Sequence, residues 1–214
     1  MTEIQIIDPA EIEKESMRRI EAELDMSGLA VENLAVIKRV IHTTADFDYA
    51  QNLVFSEDVV AKAIGILAGE AHIVTDTNMG LSGINKPALE KTGSTAVCFI
   101  NDPAMHEAAA ANGTTRALAA VDYAAQTLEA PVVFVVGNAP TALIRLHQLI
   151  TENSYKPALI IGVPVGFVNV VESKQLIMGL PDIPYIVAKG RKGGSNVAAA
   201  IVNALLYQAT GREL

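Results

Sequence analysis

The residues that could do chemistry in this chain follow apolar segments, and the last such group carries the most charge. Lys189, Arg191 and Lys192 lie among three glycines in the stretch KGRKGGS, which ends at Ser195. Lysine and arginine bind carboxylates and phosphates, and glycines allow the backbone to approach a ligand closely. We expect Ser195 to cap a following helix, whose N–H groups attract anions. The stretch therefore predicts a site for a polyanionic small molecule, and a basic surface loop beside a helix cap explains it equally well.

Polar residues and glycines also follow four earlier apolar segments. Because the carboxyl ends of parallel strands meet at one edge of a sheet, these residues predict one long cleft, where α/β proteins bind ligands. Each turn taken singly, including the Gly-Asn-Ala-Pro turn at 137–140, is equally consistent with an ordinary strand-to-helix connection. The residues that we assign to ligand binding at this edge are Asp76, Asn78, Met79, Asn138, Gly166, Lys189, Arg191, Lys192, Gly193, Gly194 and Ser195.

A histidine and an arginine share one face at the end of a predicted helix. The apolar spacing indicates a helix over residues 29–42, and Arg39 and His42 are three residues apart in its last turn. Histidine can give and recover a proton near neutral pH, so His42 is a candidate general acid. These residues alone favour an inert histidine at a helix end.

Strands alternate with helices after residue 70, which is typical of an α/β protein with a parallel sheet. The strand candidates are 71–75, 95–100, 132–136, 158–163 and 185–188. Residues 132–136 form an uninterrupted run of valines and one phenylalanine, which predicts a central strand buried on both faces. We therefore expect a single domain over residues 1–214, with a five-stranded parallel sheet between two layers of helices.

The composition excludes several classes of protein. The 214 residues are 50% hydrophobic but only 5% aromatic, which favours tightly packed helices on a sheet over a β-sandwich. A formal net charge of −8 argues against a nucleic-acid-binding protein. No apolar run is long enough to span a membrane, and the first residues lack the pattern of a signal peptide. A cytoplasmic protein is expected, and the single Cys98 cannot form an internal disulfide.

Familiar cofactor and catalytic motifs are absent from the sequence. It contains no P-loop, no dinucleotide-binding fingerprint after residue 137, no Cys/His cluster with zinc spacing and no Gly-x-Ser-x-Gly setting for a nucleophilic serine. We therefore set these familiar cofactor sites aside and expect no metal site. His106, which follows the second predicted strand, is a secondary candidate for acid chemistry.

Six stretches together resemble one family, the precorrin-8 methylmutases (precorrin isomerases) of cobalamin biosynthesis. They occur in family order over nearly the whole chain, and although each is weak alone, their combination is highly specific. The stretches are RVIHTT (39–44), TDTNM (75–79) with GI (83–84), TRA (115–117), GNAPTAL (137–143), GVPVGFV (162–168) with ESK (172–174), and GRKGGS (190–195).

The resemblance implies a flavodoxin-like fold and a homodimer with active sites at the subunit interface. It implies a cofactor-free reaction that moves a methyl group from C-11 to C-12 of a corrin-type macrocycle with many carboxylates, giving hydrogenobyrinate or cobyrinate. The family's catalytic histidine corresponds to His42, and its arginine in the TRA stretch corresponds to Arg116, which we assign to substrate binding together with Arg39.

This chemistry agrees with the residue types. A methyl shift around a conjugated ring needs a rigidly held macrocycle and a biased electron distribution, and histidine can supply a proton for that purpose. Two alternatives stay open at this point: a non-catalytic corrinoid carrier, and a flavodoxin-like oxidoreductase that binds a nucleotide or flavin. The sequence leaves open whether the natural substrate contains cobalt.

Overall fold

One mixed sheet forms the centre of the protein. The computed structural model describes residues 6–9, 11–129 and 131–212. Within these ranges the sheet has six strands: β1 (Leu53–Phe55), β2 (His72–Thr75), β3 (Thr95–Val97), β4 (Val132–Val136), β5 (Leu159–Gly162) and β6 (Tyr185–Ala188).

The strands are arranged in the order β1-β6-β5-β4-β2-β3. Strands β2 to β6 pair in parallel with their neighbours, whereas β1 pairs antiparallel with β6, so that Leu53 lies opposite Ala188. The expectation of a five-stranded, purely parallel sheet is therefore corrected to a six-stranded mixed sheet. The three residues of β1 are too few to show an apolar period, which is why the sequence did not reveal this edge strand.

Eleven α-helices occur in the described residues. They are α1 (Ile12–Glu23), α2 (Leu34–Thr44), α3 (Tyr49–Asn52), α4 (Val59–Leu67), α5 (Asn78–Gly83), α6 (Lys86–Thr92), α7 (Pro103–Asn112), α8 (Arg116–Thr127), α9 (Pro140–Asn153), α10 (Val170–Met178) and α11 (Ser195–Ala209). A short 3₁₀ turn, Val31–Asn33, precedes α2.

Helices cover both faces of the sheet, and each face has its own apolar core. All five residues of β4 are buried: Val133 and Val135 pack in the core that contains α2, α4 and α11, whereas Phe134 packs in the core that contains α8, α9 and α10. The alternation arises because successive side chains of a strand point to opposite faces. The prediction of a central strand buried on both faces is confirmed.

The position of β2 in the sheet determines where a crevice for a ligand forms. The next strand in the chain, β3, lies on one side of β2, and the strand after it, β4, lies on the other side. The connections that leave the carboxyl ends of β2 and β4 therefore diverge, and such a point in an open α/β sheet leaves a crevice between them.

Candidate functional site

A cleft of about 370 Å³ opens where the connections after β2 and β4 diverge. Four of the residues predicted for ligand binding line it: Asp76, Asn78, Arg116 and Asn138. They come from the turn after β2, the starts of α5 and α8, and the turn after β4. Asn78 and Asn138 are exposed and can offer amide groups to a ligand.

Asp76 connects the turn after β2 to the turn after β4 by hydrogen bonds. Its carboxylate accepts hydrogen bonds from the backbone N–H groups of Gly137, Asn138 and Ala139 at 2.9, 2.8 and 2.7 Å, just before α9 begins. Burial raises the pKa of Asp76, and the three N–H donors oppose that shift because they favour the ionised form. Since both carboxylate oxygens already have backbone partners, the side chain shapes the cleft.

Arg116 lies on the opposite wall beside the secondary histidine candidate. Its Nη1 donates to Nε2 of His106 at 3.0 Å and lies 3.4 Å from the carbonyl oxygen of Ile100. A guanidinium only donates hydrogen bonds, so Nε2 of His106 must be the unprotonated ring nitrogen in this pair. His106 therefore positions Arg116 and has no proton on that nitrogen to give to a ligand.

The loop formed by residues 189–195 runs along the carboxyl edge of the sheet from β6 back to the cleft. The N–H of Gly194 donates to the carbonyl oxygen of Val163 at 2.9 Å, beyond the end of β5. Gly193 has a φ of +156°, and a Cβ at that position would lie 2.0 Å from the same oxygen, so glycine is required there. Gly166 also joins the loop, because its N–H donates to the carbonyl oxygen of Arg191 at 3.2 Å.

Ser195 ends this loop in a role different from the one expected. It is the first residue of α11, Gly194 occupies the cap position, and no side chain caps this helix. The Ser195 hydroxyl lies 2.7 Å from the hydroxyl of Thr77, which in turn accepts the N–H of Gly80 at the start of α5. The predicted cap is corrected to a hydroxyl contact that ties the loop to the turn after β2.

Lys192, in the middle of the loop, links it to the segment that follows α2. Its Nζ lies 2.6 Å from a carboxylate oxygen of Asp46 and 2.6 Å from one of Asp48. These hydrogen bonds raise the pKa of Lys192, and the bond with Lys192 holds the pKa of Asp46 below its usual range. The charge of Lys192 is thus already offset within the chain.

His42 lies in the last turn of α2, four residues before Asp46, and is exposed. The ion pairs of Lys192 place this end of α2 at the carboxyl edge of the sheet, beside the loop 189–195. His42 is thus an exposed residue close in the chain to the segment that Lys192 contacts.

Arg39, one turn earlier in α2, points into the protein. It is 8% exposed, donates to Glu13 at 2.7 Å and lies with its Cζ 5.2 Å from the ring centroid of Tyr207. Arg212 contacts the same ring and the same carboxylate. Burial pushes the pKa of Glu13 up, but the two arginines outweigh it, so the pKa is lowered. Arg39 therefore braces α2 against α1 and α11, and its Nε is a buried atom without a hydrogen-bond partner.

A buried lysine, Lys174, also contacts the loop 189–195, although the sequence analysis assigned it no role. Lys174 belongs to α10, is 1% exposed, and donates to the carbonyl oxygens of Gly190 and Lys192 at 2.8 Å each. Burial lowers its pKa to about 8. A lysine on the buried side of an amphipathic helix is the signal that could have identified it.

Apolar side chains project from the rim of the same edge. Phe167 and Val168 are 82% and 78% exposed, and Met79 is 71% exposed. The Cζ of Arg191 lies 5.3 Å from the ring centroid of Phe167, within the range of a cation–π contact. Lys189 is exposed beside them. Among the described residues, neither Arg191 nor Lys189 has a carboxylate partner.

This region combines apolar surface, uncompensated positive charge and two exposed histidines, His42 and His106. Across the described ranges, no group of three His, Cys, Asp or Glu residues is arranged to hold a metal ion. None of the helices in that part of the chain is long and apolar enough to cross a membrane. The fold and this site define an α/β protein with apolar side chains and unpaired basic side chains at the carboxyl edge of its sheet.

Comparison with known proteins identifies the family to which this chain belongs. The precorrin-8X methylmutase family matches residues 11–208, and the chain belongs to that family. It is 51% identical over 173 residues to the cobalt-precorrin-8 methylmutase of Salmonella typhimurium, covering 81% of this chain and 80% of that protein. It is 37% identical over 209 residues to the precorrin-8X methylmutase of Pseudomonas aeruginosa, covering 97% of this chain and 98% of that protein.

A solved structure from the same family has a similar fold. The crystal structure of the precorrin-8X methylmutase from Thermus thermophilus superimposes with a TM-score of 0.86 at 37% sequence identity. The match covers 94% of this chain and 98% of the Thermus chain, so the two chains share the same fold.

Proposed function

We propose that this chain is an isomerase of cobalamin biosynthesis that moves a methyl group from C-11 to C-12 of precorrin-8 or cobalt-precorrin-8, with His42 as the general acid. Family membership over residues 11–208 supports the reaction. The single observation that carries the site is the path of the loop 189–195. Through Lys192 it contacts the segment after the helix of His42, and through Ser195 it contacts the turn that lines the cleft.

The substrate is a macrocycle with an apolar ring and many carboxylates, and the edge offers groups for both. Arg191 and Lys189 are exposed and without carboxylate partners among the described residues, so they are the first candidates to bind substrate carboxylates. Arg116, Asn78 and Asn138 offer further donors in the cleft. The exposed ring of Phe167 and the side chain of Met79 can cover part of the macrocycle face.

The role of His42 follows from what a methyl shift requires. Protonation of the conjugated ring system withdraws electron density and makes the migration of the methyl group easier, and the proton is recovered afterwards. An exposed imidazole can take that proton from water before the substrate binds and can be covered by the substrate once it is bound. The other residues then need only to hold the ring in register with the imidazole.

The finer assignments belong to the same proposal. We assign residues 1–214 to one precorrin isomerase domain with a flavodoxin-like core, because the strands β2 to β6, counted among themselves, follow the order 2-1-3-4-5. An open cleft and an exposed His42 support a homodimer in which a second subunit completes each site. We place the protein in the cytoplasm, where it acts on its corrinoid substrate without a nucleic-acid or membrane partner.

The test is conversion of substrate under single-turnover conditions. Excess protein is mixed with metal-free precorrin-8 and, separately, with cobalt-precorrin-8, and the absorption spectrum is followed. We expect the spectrum of at least one substrate to change to that of its product, and the faster reaction identifies the natural form. Tight binding of both compounds without a spectral change would identify a corrinoid carrier and contradict the isomerase assignment.

A further inference from the structure

A charged side chain lies beneath the loop 189–195, out of contact with solvent. Lys174 is 1% exposed, and its Nζ donates to two carbonyl oxygens of that loop, those of Gly190 and Lys192, at 2.8 Å each. None of the ion pairs within the described residues includes Lys174. Its positive charge is therefore held by neutral acceptors alone.

Burying an ammonium group in this way lowers the stability of the folded protein, so a functional reason for it is expected. Taking an ammonium group out of water costs several kcal/mol even in real proteins, and an apolar side chain of similar volume would avoid that cost. Ile177, one turn later in the same helix, is an apolar residue that is fully buried. The contacts with the loop are the only polar interactions recorded for Lys174 among the described residues.

The two hydrogen bonds act on the part of the loop that presents positive charge. They draw the carbonyl groups of residues 190 and 192 inward, on either side of Arg191, whose side chain stays exposed. The Arg191 carbonyl oxygen accepts from Gly166, and the N–H of Gly194 donates to Val163. Without Lys174, the stretch 190–192 would keep a single backbone anchor, at Arg191.

We propose that Lys174 is a positioning residue that holds the loop 189–195 in the shape that binds the carboxylates of the substrate; this role rests on the proposed function. A loop that is already ordered loses less conformational entropy when a ligand binds, so the affinity is higher. The uncompensated ammonium also adds positive potential directly behind Arg191 and Lys189, in a chain whose formal net charge is −8. Lys174 itself need not touch the substrate.

The first experiment compares Lys174→Met with Ile177→Val, a matched control that changes a buried apolar residue of the same helix. Methionine keeps most of the length of lysine but removes the charge and both hydrogen bonds. We expect the Kd for hydrogenobyrinate and the KM for substrate to rise about tenfold or more, because charge-assisted contacts are lost, while kcat at saturating substrate stays within about threefold. The control should keep the wild-type Kd. An unchanged Kd in Lys174→Met would overturn the proposal.

A second measurement separates this proposal from the assignment of function. Amide hydrogen exchange is recorded for residues 190–194 in the ligand-free proteins, where local opening determines the rate. We expect the amide of Gly194 to exchange about tenfold faster in Lys174→Met and at the wild-type rate in Ile177→Val. If exchange accelerates but the wild type neither binds nor converts corrinoids, the positioning role stands and the proposed function fails. Equal exchange rates in the wild type and Lys174→Met would refute the positioning role.

A third variant guards against misfolding of Lys174→Met. Lys174→Ala leaves a cavity the size of propylammonium, which can be supplied in solution. We expect n-propylammonium to restore the affinity for hydrogenobyrinate in a saturable way, and n-propanol, which fills the space without a charge, to restore much less. Equal effects of the two compounds would show that the side chain only fills space.

Discussion

Gly137 and Ser195 lie so close together that a Cβ on residue 137 would approach the Cα of Ser195 to 2.7 Å. The contact joins the turn after β4 to the start of α11, two elements that are 58 residues apart in the chain. It brings the turn that lines the cleft into direct contact with the end of the loop 189–195. Because both partners are backbone, neither can move aside without displacing a whole turn.

Gly137→Ala should therefore be destabilising. We expect a loss of about 1–3 kcal/mol in the free energy of unfolding, the usual result of overpacking, together with weaker binding of corrinoids because the loop is pushed off the cleft. Gly65→Ala is the matched control: residue 65 lies in α4, and a Cβ there meets nothing within 4 Å. Alanine is a better helix former, so the control should stabilise the protein by up to about 1 kcal/mol. Urea denaturation measures both, and equal effects would show that the close approach is not rigid.

Asp76→Asn should weaken the junction at the cleft. An amide group can present only one oxygen to the three N–H donors of residues 137–139, so at least one charged hydrogen bond is replaced by two donors facing each other. We expect the unfolding free energy to fall by about 1.5–3 kcal/mol. Asp102→Asn serves as the control, because Asp102 accepts a single N–H, that of Ala104, and asparagine caps a helix about as well as aspartate. A loss that is no larger for Asp76→Asn than for Asp102→Asn would contradict the fastening role.

Lys174 should make the stability of the protein depend on pH in a specific direction. Its pKa is lowered from 10.5 to about 8 by burial, so between these values the unfolded chain binds more protons than the folded one. Stability associated with this residue therefore rises as the pH increases from 8 towards 10.5. We expect the wild type to gain about 2 kcal/mol relative to Lys174→Met between pH 7 and pH 9.5. Denaturant midpoints of both proteins at the two pH values give this difference, and a constant difference would mean that the ammonium is well solvated.

Arg191 and Lys192 are neighbours in the sequence, yet their substitutions should differ. Arg191→Ala removes an uncompensated charge, and we expect it to weaken corrinoid binding by about 1.5–3 kcal/mol at low salt and by less at high salt. Lys192→Ala removes a charge that Asp46 and Asp48 already offset, so the direct loss of affinity should be smaller. Lys156→Ala, an exposed lysine before β5, controls for the change in net charge. Calorimetric Kd values for the corrinoid measure these differences. Equal losses of affinity in Arg191→Ala and Lys192→Ala would show that Lys192 leaves Asp46 and Asp48 when the ligand binds.

Much of the fold followed from local patterns in the sequence. The run of β-branched residues at 132–136 and the alternation of strands and helices predict a sheet with helices on both faces, because such runs must be buried on both sides. The edge strand β1 escaped detection because it is three residues long and is defined by its antiparallel register with β6, which no local pattern encodes.

The site could be predicted only as far as chain position determines it. Residues that follow parallel strands must lie at one edge, so the grouping of Asp76, Asn138 and the loop 189–195 was accessible from the sequence. Hydrogen-bond partners were not, because they depend on tertiary contacts. Ser195 bonds to Thr77 instead of capping its helix, and the charge of Lys192 is offset by Asp46 and Asp48.

Replacing His42 by alanine removes the general acid that we propose for the methyl shift. If His42 supplies the proton that biases the macrocycle, the variant should lose about 10²–10⁴-fold in kcat, the usual contribution of general acid–base catalysis, while the Kd for substrate stays close to the wild-type value. His42→Asn should be nearly as inactive, because an amide keeps a hydrogen bond but transfers no proton near neutral pH. His147→Ala, on α9, is the matched control and should turn over normally.

The decisive measurement is single-turnover conversion by His42→Ala at saturating substrate. We expect a bound pigment whose spectrum stays that of the unrearranged substrate. Near-normal conversion by His42→Ala would contradict the acid role of His42.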